Sequence, residues 1–155
     1  MIIKNIMSKD VEIVSPETLL HDVAKKMRQR DLGCILVGKD DRLIGMITDR
    51  DIAIRCVALE HNPGETTAEK IMSAEILYCR ETDEAEDVAK NMSENKVRRL
   101  VVLNAEKRMV GIVSLGDLAI ASNDHNICGT ALSIICHPAL TTVEMPKKDE
   151  ELKTL

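Results

Sequence analysis

Aromatic residues are almost absent from this sequence: its 155 residues include no Phe, no Trp and a single tyrosine, Tyr78. Stacking of a planar ligand on an aromatic ring is therefore nearly excluded as a binding mode. The core must be built from Ile, Leu, Val, Ala and eight Met. With 45% hydrophobic and 30% charged residues, the composition is that of a globular protein. From the length of 155 residues we do not expect a large multidomain enzyme.

Excess positive charge and long apolar runs are also missing. The formal net charge is −5, which argues against a general nucleic-acid binder because such proteins neutralise phosphates over a basic surface. No run approaches the roughly 18 apolar residues that span a bilayer. The start Met1-Ile2-Ile3-Lys4 lacks the features of a secretion signal. We therefore expect a cytoplasmic protein that engages neither membrane nor nucleic acid.

Signatures of catalysis and of a metal site are missing or weak. There is no Gly-x-Ser-x-Gly, no phosphate-binding loop and no His-Glu-x-x-His, so we predict no catalytic residues and no required cofactor. The five cysteines are scattered, which favours reduced thiols. Four possible zinc ligands crowd the end of the chain, but they lack a Cys-x-x-Cys pair, and adjacent ligands cannot easily converge on one ion. These four are His125, Cys128, Cys136 and His137. We predict no metal, and the segment from Ile127 to Cys136 is expected to pack as a final helix.

The sequence repeats once. Ile6-Met7-Ser8 recurs as Ile71-Met72-Ser73, 65 positions later. Gly45-Met46-Ile47-Thr48 recurs as Gly111-Ile112-Val113-Ser114, 66 positions later, and an Asp follows each run at the same distance. A repeated unit usually means a repeated interface that neither copy can bury alone.

Both copies predict the same elements: a leading segment, a helix, two strands joined by a turn, and a further helix. Ser15-Pro16-Glu17 predicts the first helix start, with a hydroxyl cap before a proline, and Thr82 is the shifted equivalent in the second copy. Continuous apolarity predicts strands that are covered on both faces. They are expected at 34–37, 43–48, 100–103 and 109–114, with closing helices at 51–58 and 117–121. The predicted fold class is α/β.

These elements predict a division of the chain into five parts. The first repeat spans 1–60 and the second 67–122, joined by a connector at 61–66 that contains Pro63-Gly64. A C-terminal helical extension at 123–140 and a polar tail at 141–155 follow.

This pattern resembles the CBS domain, which usually occurs as a tandem pair called a Bateman module. The likeness covers about residues 1–122 and rests on both copies: Met-Ser at each start, Gly-x-x-Thr/Ser-x-x-Asp after each hairpin, and the run Val97-Arg98-Arg99-Leu100-Val101-Val102. It implies two repeats, each a small sheet with helices packed on it, related by an approximate two-fold axis. It further implies a stand-alone, non-catalytic regulatory module that forms a homodimer and binds AMP, ADP, ATP or S-adenosylmethionine in clefts between the repeats.

The residues themselves are compatible with such a cleft. Thr48 with Asp51, and Ser114 with Asp117, each place a strand-end hydroxyl beside a helix-start acid. The acid can accept hydrogen bonds from ribose hydroxyls, and the Thr or Ser hydroxyl can donate to phosphate. Ser15 is a further candidate for nucleotide binding, because the purine is expected to lie against the stretch from Ile13 to Ser15 or its counterpart in the second repeat.

Phosphates in an acidic protein need identified cations, and guanidinium groups match phosphate oxygens. The candidates are Arg50, Arg98 and Arg99. The positions that match Arg98 and Arg99 in the first copy are Gly33 and Cys34, so we expect two unequal clefts.

Two alternatives remain open. The first is that the hydroxyls and acids serve only as strand ends and helix caps. The second is that the chain is a structural or dimerising module with empty clefts that acts through a separate effector protein.

Overall fold

The computed structural model describes residues 1–121 and 125–137, and it contains two similar halves. In the first half, β1 (Ile13–Val14), β2 (Cys34–Lys39) and β3 (Arg42–Thr48) form one sheet; α1 (Leu20–Arg30) lies between β1 and β2 in the chain, and α2 (Asp49–Asp51) continues into a π-helix (Ile52–Val57). In the second half, α3 (Ala68–Ile71) precedes β4 (Tyr78–Arg80), α4 (Ala85–Glu94), β5 (Arg99–Leu103), β6 (Met109–Ser114) and α5 (Leu115–Ala121). The predicted α/β class with two repeats is confirmed.

The two sheets share one topology. Each has its middle strand paired parallel to the short leading strand and antiparallel to the strand that follows, in the orders β1-β2-β3 and β4-β5-β6. In β2, Ile35 and Val37 face α1 and share a core with Leu20, whereas Leu36 points to the opposite face and is also fully buried. Val101 is its counterpart in β5. Both faces are covered, which explains the continuous apolar runs.

The leading segment of each repeat completes the core of the other repeat. Ile3, in a 3-10 turn at Ile3–Asn5, is fully buried among side chains of the second half. Ala68 and Ile71 of α3 are buried in the core of the first half. Neither sheet with its own helices therefore closes a core by itself.

The Met-Ser and Gly-x-x-Thr/Ser motifs meet at this exchange. Ser8 and Ile112 exchange two backbone hydrogen bonds of 2.9 Å, and Ser73 pairs with Met46 in the same way. A methyl group on Gly111 would lie 2.7 Å from the carbonyl oxygen of Ser8, so this strand position must be glycine for the other repeat's leading segment to approach.

The first helix of each repeat begins later than predicted. Ser15 does not cap α1: the helix begins at Leu20, and the Ser15 hydroxyl shares a 3.2 Å hydrogen bond with Thr18 instead. The backbone carbonyls of Pro16 and Thr18 accept hydrogen bonds from N–H groups of α3. Thr82 does not cap α4 either, because the backbone before Ala85 pairs with the chain's first residues. Pairing with the other repeat outweighs the local capping preference.

Helix α6 (His125–Cys136) lies against α4 and α5 and buries Cys128 and Ala131. The predicted tail at 141–155 lies outside the described residues. Within the described part of the chain, no helix is both long and apolar enough to cross a membrane.

Candidate functional site

The hydroxyl and acid at the end of β3 form a capping box. The Thr48 N–H and hydroxyl both donate to Oδ2 of Asp51 at 2.8 Å, and the Asp51 N–H donates back to the Thr48 hydroxyl at 3.1 Å. Thr48 is the cap residue, and Asp51 stands three residues into the helix. This arrangement satisfies the free N–H groups at a helix start and typically contributes about 1 kcal/mol.

The second repeat builds the same box at the end of β6. The Ser114 N–H and hydroxyl donate to Oδ2 of Asp117 at 2.7 Å, and the Asp117 N–H returns a 3.1 Å hydrogen bond. The Ser114 hydroxyl therefore gives its proton to Asp117 rather than holding it ready for a phosphate. Within the described residues no hydrogen bond or ion pair involves Oδ1 of Asp117, so this oxygen remains available as an acceptor.

Two adjoining cavities lie beside this second box. The inner one, of about 230 Å³, runs between the leading segment of the first repeat and the second repeat, and Asp117 lines it together with Val11, Leu36 and Ile112. The outer one, of about 570 Å³, is lined by Arg98, Gly116 and the acidic Asp49. Arg99 and Ser114 line both cavities. The two cavities form one cleft, whose inner end is acidic and apolar and whose outer end carries two guanidinium groups and one carboxylate.

The side chain of Arg99 lines the cleft and lies against Gly33 of the first repeat. A methyl group added to Gly33 would lie 2.7 Å from Nη2 of Arg99, so the guanidinium rests against bare backbone. Arg98 is exposed, and its carbonyl accepts the Leu115 N–H at 2.9 Å, which ties the start of β5 to the start of α5. Gly33, the first-repeat counterpart of Arg98, thus has no side chain that would displace the Arg99 guanidinium.

The inner end of the cleft is lined by three further acidic residues, Asp10, Glu12 and Asp31, and the first two are paired with cations. Lys26 donates to Glu12 at 2.6 Å, and Arg30 pairs with both Asp10 and Glu12. The hydrogen bond from Lys26 is the main cause that holds the pKa of Glu12 below its usual range, and Arg30 lowers the pKa of Asp10 in the same way. Burial raises the pKa of the neighbouring Cys34 thiol, although Arg99 partly opposes that shift.

The remaining predicted site residues lie apart from this cleft. Ser15 and Arg50 are exposed, and neither they nor Thr48 and Asp51 line its two cavities. Sequence reasoning missed Arg55, which contacts Asp51 in the first repeat. Its signal was available, since an arginine four residues after an acid on a helix predicts an ion pair.

The possible zinc ligands are not assembled into a metal site in the part of the chain that the structure describes. Among the residues that the structure describes, no group of three or more His, Cys, Asp or Glu side chains could hold a metal ion. Cys128 is buried and Cys136 is exposed.

The fold and the paired motifs define a tandem CBS module: the CBS domain family matches residues 3–57 and 68–124, and the chain belongs to this family. Such tandem modules are commonly regulatory and ligand-binding, and stand-alone members are generally non-catalytic.

Among individual proteins, the chain is similar to a CBS domain-containing protein of Bacillus subtilis, at 36% identity over 87% of this chain and 95% of that protein. It is similar to Hypoxic response protein 1 of Mycobacterium tuberculosis, at 35% identity over 87% of this chain and 94% of that protein.

Solved structures show the same likeness. A CBS domain protein of unknown function from Thermoplasma acidophilum matches with a TM-score of 0.78 and 27% identity, over 86% of this chain and 75% of that one. The structure of Hypoxic Response Protein I, which has two coordinated zinc ions, matches with a TM-score of 0.69 and 35% identity, over 79% of this chain and 99% of that one.

Proposed function

We propose that the chain is a regulatory module that binds an adenosine-type nucleotide in the cleft beside Ser114 and Asp117. One observation carries the proposal: two cavities meet at Arg99 and Ser114, with a carboxylate at the inner end and a second guanidinium, Arg98, at the outer end. A nucleotide has the complementary order of groups, with hydroxyls on its sugar and anionic phosphate beyond them.

The inner cavity suits the nucleoside. Oδ1 of Asp117 can accept hydrogen bonds from the ribose hydroxyls, while Oδ2 stays in the capping box. The purine would lie against Val11, Leu36 and Ile112, which line the same cavity. Aliphatic contact takes the place of stacking, in keeping with a chain whose one aromatic residue does not line this cleft.

The outer cavity suits the phosphates. Arg98 and Arg99 supply two planar donors, whose fork geometry matches phosphate oxygens. Asp117 holds the sugar at the inner end, so the phosphates lie away from its charge. Asp49 also lines the outer cavity, and the two guanidinium groups must offset its repulsion of the phosphates.

Binding can be converted into a signal because the cleft belongs to both repeats. Val11 and Leu36 come from the first repeat, and Ser114 and Asp117 come from the second. A ligand that contacts both stabilises one relative arrangement of the repeats. A separate effector protein would read that arrangement.

Exposed apolar side chains support a homodimer as the acting species. Ile54 and Ile120 occupy equivalent positions on the closing helices of the two repeats and are 44% and 88% exposed, and Val57 is 65% exposed. A second copy would remove them from water. Light scattering should return twice the 17.2 kDa chain mass, and a monomer would contradict the dimer.

Calorimetric titration with AMP, ADP, ATP and S-adenosylmethionine tests the nucleotide proposal. Asp117→Ala should weaken binding about 10- to 100-fold, as expected for losing hydrogen bonds to a charged acceptor. Asp51→Ala is the matched control, because it removes the equivalent capping box from the other repeat and should leave the affinity of this cleft unchanged. Absence of heat with all four compounds would favour the structural module instead.

A further inference from the structure

Arg55 bridges the positions in the first repeat that correspond to the inner cavity of the second. Its Nη1 donates to the carbonyl oxygen of Ile71 at 2.9 Å and to the hydroxyl of Ser73 at 3.1 Å. Its Nη2 lies 3.6 Å from Oδ1 of Asp51. One guanidinium therefore links the helix after β3 to the leading segment of the second repeat.

The second repeat has the same surroundings without the arginine. Ser8 and Asp117 are the counterparts of Ser73 and Asp51, and both line the inner cavity. The residue that corresponds to Arg55, 66 positions later, is Ala121. A methyl group stands where the first repeat has a guanidinium, which leaves this cleft open between the acid and the leading segment.

From this difference we infer that Arg55 closes the cleft of the first repeat and limits the chain to one nucleotide, bound in the second. The inference rests on the proposed function and names the residue that decides which of two related clefts takes the ligand.

The chemistry of the two acids supports this assignment. Both carboxylates use Oδ2 in a capping box, so only Oδ1 remains for a ribose. In Asp51 that oxygen already faces a guanidinium, whereas Oδ1 of Asp117 has no partner within the described residues. A nucleotide in the first cleft would have to displace Arg55 from three acceptors, one of which is the backbone carbonyl of the buried Ile71. Leaving such a carbonyl without a donor is unfavourable.

The number of sites per chain tests the inference. Calorimetry and equilibrium dialysis with AMP should give one site for the wild type and two for Arg55→Ala. The reciprocal change, Ala121→Arg, should weaken binding in the second cleft at least 10-fold. Arg28→Ala is the matched control, since Arg28 is an exposed arginine on α1 and should leave one site. Urea denaturation of every variant verifies folding, and Ala121→Arg provides a second measurement if Arg55→Ala does not fold.

The outcomes separate the two proposals. Two sites in the wild type, or a single site in folded Arg55→Ala, would overturn the role of Arg55 and leave nucleotide binding intact. No site in the wild type but one in Arg55→Ala would support closure by Arg55 and overturn binding in the second cleft. No site in any folded variant would overturn both.

Discussion

Replacing Gly111 by alanine should destabilise the protein at the contact between the repeats. The added methyl carbon would lie 2.7 Å from the Ser8 carbonyl oxygen and 2.9 Å from Sδ of Met7. The carbonyl cannot simply move away, because Ser8 and Ile112 hold each other through two backbone hydrogen bonds of 2.9 Å. Relief of the clash therefore requires the leading segment to shift off β6.

The size of the effect follows from these contacts. Overpacking typically costs about 1–3 kcal/mol, and weakening two backbone hydrogen bonds adds about 1 kcal/mol. We expect Gly111→Ala to lower the free energy of unfolding by about 2–4 kcal/mol. Gly45→Ala should lower the free energy of unfolding less, by about 1–2 kcal/mol, because the added methyl group would meet the flexible thioether side chain of Met72 rather than backbone.

Urea denaturation followed by circular dichroism measures both changes. Gly129→Ala in α6 is the control: a methyl group there meets nothing within 4 Å, so the better helix propensity of alanine should stabilise the protein by about 0.5–1 kcal/mol. A Gly111→Ala variant within about 0.5 kcal/mol of the wild type, the spread of neutral surface substitutions, would refute the close approach. A larger loss for Gly45→Ala would refute the distinction between backbone and side-chain contacts.

Two further predictions concern titration. Lys26 and Arg30 hold the pKa of Glu12 below its usual range. Below neutral pH the folded state therefore binds fewer protons at Glu12 than the unfolded state does. The ion pairs of Glu12 stabilise the fold at neutral pH, and this contribution is lost as the pH falls below about 4. Urea denaturation of Glu12→Gln and the wild type should show a gap in the free energy of unfolding at pH 7 that narrows as the pH falls toward 3; an equal gap at both pH values would contradict the pairing. Burial raises the pKa of Cys79 to about 12, so mass spectrometry at pH 8 should find exposed Cys136 alkylated first, and early modification of Cys79 would contradict its burial.

The sequence predicted the hairpins and the repeat well because their signals are local. Apolar runs placed β3 and β6 with the correct C-terminal ends, at Thr48 and Ser114. The short strands β1 and β4 escaped prediction. With two and three residues, they carry almost no periodic pattern, and only their pairing with β2 and β5 defines them as strands.

The wrong helix starts and the unpredicted details of the candidate site share one physical cause. Ser15 looked like a cap, yet the backbone beside it pairs with α3 from the other repeat. Asp117 was singled out from the sequence as a candidate, but the hydrogen bond between its carboxylate and Ser114 is defined only by the three-dimensional fold. The placement of Arg55 depends on Ile71 and Ser73, which lie 16 and 18 residues further along the chain. Such nonlocal contacts leave no periodic trace in a single sequence.

The exchange of leading segments bears on how this molecule could have arisen. A half-length ancestor would have kept an open apolar side and needed a second copy of itself to cover it. Fusing two such copies end to end turns that encounter into an intramolecular event, at a far higher effective concentration. In such a fused chain the two halves can diverge, so that one carries an arginine where the corresponding position of the other carries an alanine.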